Sequence, residues 1–253
     1  MWQSIIDSSW FNFLFATLLF LSMGSGILYA IRYKKKSKWE GSGIENSVVG
    51  IFGLIISFTF LQAGNAHRER SANIHREADN VDMLYRYSRA MPDSFHQFTQ
   101  KTLVTFLSNQ INYEQSNDAQ FLYNAKKISD SYWFYLIKYH GHASDLTNAD
   151  QLNKISVSFD QIQTSVSLLA YSYSERTPSF IMFLLVIVSL LIGYLVGFMN
   201  GMKLNIHYLV PIIYFVMITL TMAVINDLDN PRLGSIKPSY NHLKVTYENI
   251  KSN

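Results

Sequence analysis

Four stretches of this chain are apolar, uncharged and close to the length of a bilayer crossing, and nothing else in the sequence restricts the possible folds so strongly. Lipid offers no partner for backbone N–H and C=O groups, so a hydrocarbon core about 30 Å thick is crossed by about 20 consecutive apolar residues in a helix. The first stretch, 11–31, holds Asn12, Thr17, Ser22 and Ser25 as its polar residues and runs straight into Arg32, Lys34, Lys35, Lys36 and Lys38. A cleaved signal peptide would need a basic start and a shorter apolar core, whereas residues 1–10 contain Asp7 and no Lys or Arg. The second, 48–63, is the shortest and crosses only with help from 43–46 or Gly64 at the interfaces. The third, 179–199, and the fourth, 208–225, are joined by a short turn around Lys203 and predict a helical hairpin. The expected fold is all-α: four transmembrane helices in two pairs flanking a helical extramembrane bundle. The corresponding domains are 1–63 and 178–225 for the pairs, 64–177 for the bundle and 226–253 for a tail.

Between the second and third stretches the apolar period changes from continuous to helical. Ile74, Ala78, Val81 and Tyr85 recur at three- and four-residue steps, with Arg70, Arg76, Asp79, Asp82 and Arg86 around them, which predicts a helix continuing out of the second span. Pro92, Asp93 and Ser94 break it and cap a new helix through Phe95, Phe98, Leu103, Phe106 and Leu107. Two more helices are expected over 119–139 and 150–174, separated by a loop from His140 to Asn148. With no hairpin signal or repeat, the domain should be an antiparallel bundle.

Charge sets an expected orientation, because short cytoplasmic loops carry an excess of Lys and Arg. The loop 32–46 carries five such residues and the turn after the third span carries Lys203, so both belong on the cytoplasmic side of a bacterial inner membrane, with the large domain periplasmic or extracellular. The net charge of +3 does not point to nucleic acid, since the sharpest basic cluster abuts a span and suits anionic lipid headgroups. The bilayer is the first partner implied. The absence of Cys removes thiolate nucleophiles, disulfides and Cys-based metal sites. No Ser-His-Asp order, phosphate-binding glycine loop or HExxH occurs, so neither an enzyme nor a cofactor is expected. His67, His75 and the pair His140 and His142 lack a third ligand at metal-binding spacing, and no metal site is assigned.

Three segments together carry a family resemblance: Gly53 to Phe60 (GLIISFTF), the exit helix with Glu77, Ala78, Tyr85 and Pro92, and the tail motif Asp227 to Ile236 (DLDNPRLGSI). Arg176 and Gly193-Tyr194 fit as well. In these the chain resembles the bacterial bestrophin-like family of four-span membrane proteins, across most of 45–240. Asn230 stands where members of that family commonly carry Arg. The resemblance implies a remote relation to chloride-conducting bestrophins, whose large domain is cytoplasmic; the charge count argues for the opposite side.

Several constellations follow from spacing. Phe52, Ile56 and Phe60 fall on one stripe of the second span and would stack as a hydrophobic constriction in an oligomer with that stripe on its axis; ordinary packing is the alternative. Gly193, Gly197 and Gly201 flatten a face of the third span, and Gly53 with Ser57 do so on the second, which favours close helix association inside the chain or between copies. Arg68, Arg70, Glu77, Arg176, Asp227 and Asp229 all follow or precede spans on one membrane face and form a candidate interfacial charge cluster, structural or ion-attracting. Two functions are left open: a homo-oligomeric pore for small ions, or a non-conducting structural or sensory module whose bundle binds a partner.

Overall fold

Eight helices form among the described residues of the computed structural model, which are 8, 10–34, 43–116, 119–140, 146–174, 177–203, 208–230 and 234–252. They are α1 Phe11–Lys34, α2 Ile44–Ser88, α3 Asp93–Ser116, α4 Ala119–His140, α5 Leu146–Ser174, α6 Ser179–Met202, α7 Leu209–Asp229 and α8 Asn241–Ser252. No strand occurs among them. Four helices, α1, α2, α6 and α7, are long and apolar enough to cross a membrane. The protein is an all-α, multi-pass membrane protein.

At 1.5 Å per residue α2 is about 68 Å long, more than twice the hydrocarbon thickness. Its apolar part ends near Ala63 and charged residues appear at nearly every turn from Arg68, so the stretch from Arg68 onward lies beyond the span. Helix α2 stops where Pro92 forbids continuation, and Asp93 opens α3 with a negative charge at the positive end of its dipole. Helix α5 begins at Leu146, four residues before the sequence expectation. The expected loop beginning at His140 falls partly outside the described residues, and His140 itself ends α4.

The chain divides into two compact units, Met1–His67 with Arg176–Lys237, and Arg68–Glu175 with Pro238–Asn253. The first holds α1, α6, α7 and the span of α2 around a core of Phe15, Leu19, Met182, Leu185, Ile192 and Ile225. Its outer surface is apolar: Phe13, Phe20, Leu28, Leu54, Phe58, Phe180 and Leu209 are all exposed. An exterior this rich in large apolar side chains suits lipid or a further copy of the chain and not water. The second unit is built on Ile74, Leu84, Phe95, Leu107, Ile155 and Ile162. Each such side chain contributes about 1.5–3 kcal/mol when removed from water.

The tail supplies an element absent from the sequence expectation. Helix α8 buries Leu243, Thr246 and Ile250 in the second unit. Gln100 Nε2 donates to the Ile250 carbonyl at 2.8 Å, and Lys244 pairs with Glu114 at 2.6 Å.

Candidate functional site

Packing in the first unit is tightest between α1 and α6. A Cβ on Gly197 would overlap the Met23 carbonyl oxygen, and a Cβ on Gly26 would overlap the Tyr194 carbonyl oxygen. The two backbones therefore touch, and only glycine at both positions permits it. Gly193 meets Leu19 Cδ1 at 2.8 Å from its Cβ position, and Gly201 meets the Ala30 Cβ at 2.7 Å. The partner of the glycine stripe is thus the first span of the same chain, running parallel to α6. Ser22 Oγ adds a hydrogen bond to the Leu190 carbonyl at 2.6 Å, and Lys34 Nζ donates to the Lys203 carbonyl at 2.7 Å, so the basic ends of α1 and α6 coincide. Gly26 escapes the sequence expectation, although Ser22, Gly26 and Ala30 recur at four-residue steps in α1 and could have signalled it.

Helix α2 presents two different faces within its span. Phe52, Thr59 and Ala63 turn into the unit's core, Phe52 being only 3% exposed. Ile56 is half-buried against that core. Phe60, one turn further on, is 45% exposed. The three residues share a stripe, but within one chain the packed surface crosses it obliquely. On the open side lie Asn46, Gly50, Gly53 and Ser57, all exposed. At Gly50, Gly53 and Gly64 a Cβ would meet nothing within 4 Å. Ser57 Oγ turns back to the Gly53 carbonyl at 2.7 Å. A row of small and polar residues is unsuited to lipid, which gains nothing from it.

Of the candidate charge cluster, Asp227, Asp229, Arg70 and Glu77 each bond to partners within their own unit. Asp229, in the first unit, is buried and accepts from the Thr177 amide at 2.7 Å and from Thr177 Oγ1 at 2.8 Å. Asp227 accepts from the amides of Ser235 at 2.6 Å and Ile236 at 2.8 Å. Both carboxylates thus bind backbone around the ends of α6 and α7, with Gly234 folded back so that its amide reaches the Asn230 carbonyl at 2.8 Å. Arg176 lies outside the described residues. Arg68 is exposed, whereas Arg70 and Glu77, in the second unit, are fully buried. Arg70 Nε donates to the Ser172 carbonyl at 2.9 Å.

Glu77 faces Gln110 instead of a cation: Gln110 Nε2 donates to its Oε1 at 3.0 Å. Burial pushes its carboxyl up to about 8, with the Gln110 hydrogen bond acting in the opposite sense. Nearby, the hydroxyls of Tyr173 and Tyr240 lie 3.2 Å apart, and Tyr113 packs edge-on against Tyr173 with ring centroids 6.0 Å apart. Desolvation, followed by the influence of Tyr173, drives the Tyr240 hydroxyl far above the ordinary phenol range. The sequence places Glu77 in the candidate interfacial charge cluster; its buried setting depends on residues 33 or more positions away, which no local pattern reveals. Elsewhere in this unit His75 and His242 meet through their Nδ1 atoms at 3.1 Å, with Asp79 3.5 Å from His242 Nε2.

Comparison with known proteins bears on both units. The profile of the Bestrophin-like domain matches residues 43–240. Crystal structures of a bacterial bestrophin homologue from Klebsiella pneumoniae, each carrying a point substitution, superpose with TM-scores of 0.68 at 12% identity. One of them covers 94% of this chain and 98% of its own, another 93% and 97%. A crystal structure described as a membrane protein superposes with a TM-score of 0.66 at 12% identity, over 93% of this chain and 97% of its own. No curated protein sequence matches.

Proposed function

The chain belongs to the bestrophin-like family, and from that premise we propose that it is the subunit of a homo-oligomeric channel for small ions. The observation that carries this reading is the open face of α2. A Cβ at Gly50, Gly53 or Gly64 would meet nothing within 4 Å, Ser57 beside them is exposed, and a face this small and polar is poorly matched to lipid. Copies of α2 gathered around an axis would fill that face and place Phe60 and Ile56 toward the centre, with Phe52 behind them in the subunit core. Rings of apolar side chains at that level would gate by expelling water.

Liposome flux tests the reading. Purified protein is expected to conduct small ions, and Phe60→Ala or Ile56→Ala to raise the flux by widening the constriction. A monodisperse monomer in mild detergent and in nanodiscs, or silence under every small ion tried, would overturn it in favour of a non-conducting module. For orientation, the coincident basic ends at Lys34 and Lys203 favour the cytoplasm, whereas the cytoplasmic domain of bestrophins favours the reverse. Reporter fusions in the α3–α4 connection and after Ser252 decide between them.

A further inference from the structure

Within the second unit a cavity of about 300 Å³ opens between α3, α4 and α5. Phe106, Leu122, Val166 and Leu169 give it apolar walls, and Gln110 and Tyr113 lie among its lining on α3. These last two are 0% and 2% exposed, yet each keeps a polar atom without a partner. Gln110 spends its Nε2 on Glu77, which leaves Oε1 with no donor, and the Tyr113 hydroxyl bonds to nothing. Buried polar atoms are almost always paired, and each unmade bond costs about 1–3 kcal/mol. Here the two residues that carry them stand three positions apart on one helix, hence on one face, and both residues line the same cavity.

We propose that this cavity is a binding site for an uncharged aromatic molecule of one or two rings that carries an N–H or O–H donor. The donor would reach Gln110 Oε1, the ring would lie among Phe106, Leu169 and the Tyr113 and Tyr173 rings, and the Tyr113 hydroxyl would take a second polar contact where the molecule offers one. The cavity is at the lower end of the range for small-molecule sites, which limits the occupant to this size. A charged group at its depth would find no counter-ion, since Lys126 and Asp130 line it from exposed positions on α4. The site is independent of conduction and stands whether or not the chain forms a pore.

Indole and N-methylindole are the probes, titrated calorimetrically into the full-length protein in micelles with empty micelles as the blank. Indole is expected to bind saturably at one site per chain, and N-methylindole, which has the same apolar surface but no donor, about tenfold more weakly. Ala170→Trp fills the cavity from an exposed lining position and should abolish binding of both while leaving the thermal unfolding midpoint close to that of the wild type. Gln110→Leu should weaken indole to the level of N-methylindole; if that variant does not fold, Tyr113→Phe is the substitute and should lower indole affinity a few-fold. The proposal is overturned if neither probe binds up to its solubility, which would leave the cavity to water. Equal affinity for the two probes, or unimpaired binding to A170W, would overturn it as well.

Discussion

Replacing Glu77 by Gln should change how the stability of this protein depends on pH, and the size of the effect can be worked from the site. The carboxyl is fully buried, its Oε1 accepts from Gln110, its Oε2 has no partner, and burial raises its pKa from an ordinary 4.5 to about 8. Between those two values the native state holds one proton more than the unfolded chain. Stability therefore falls as pH rises, by up to about 1.4 kcal/mol per pH unit. The contribution is complete below the unfolded pKa and lost once pH passes the folded one; across the window it amounts to about 5 kcal/mol. Glutamine keeps the shape and the acceptor for Gln110 Nε2 but cannot ionise, and the amide it adds at the Oε2 position contributes an offset that does not vary with pH. Thermal unfolding of both proteins in one detergent, from pH 5 to pH 9, is the assay. The series from pH 5 to pH 9 captures about 4 kcal/mol of that contribution, so at about 2–4 °C per kcal/mol the midpoint of Glu77→Gln should gain about 8–16 °C relative to wild type. Other titrations, including His96, whose pKa is lowered by burial and then by Arg89, cancel in the difference. Parallel profiles for the two proteins, or a wild type that loses ground toward acid relative to the variant, would refute the argument.

Four further outcomes are expected. Gly197→Ala should force α1 and α6 apart and cost about 1–3 kcal/mol or more, read as a lower unfolding midpoint and lower yield of folded protein. Gly53→Ala, with open space at its Cβ within its own chain, should leave the fold of the single chain intact and alter the distribution of oligomers in native mass spectrometry. Asp229→Ala strands the buried Thr177 amide and should cost about 1–3 kcal/mol in chemical denaturation, while Asp227→Ala should cost less because water can reach the exposed amides of Ser235 and Ile236. A chain ending at Ser239 loses α8 and with it the burial of Leu243 and Ile250, about 1.5–3 kcal/mol each, and should show faster proteolysis within α3.

Sequence alone was sufficient wherever the governing energy is local. The four spans are legible because lipid demands an unbroken apolar run, and the course of α2 beyond its span is legible because Ile74, Ala78, Val81 and Tyr85 keep the helical period. Pro92 ends that helix through its own ring. The glycines of α6 announced a close approach in the same way, since a missing Cβ is visible in one dimension. Tertiary structure decided everything that depends on which surfaces meet. It selected α1 as the neighbour of Gly197, turned Phe52 inward and Phe60 outward on a stripe they share, and laid α8 against α3. It also gave Asp227 and Asp229 backbone amides as partners, and gave Glu77 a glutamine, Gln110, 33 residues along the chain. A periodic pattern states that a face will be covered. The identity of its cover is set by long-range packing, in which many apolar faces of similar affinity compete and only the complete set of contacts breaks the tie.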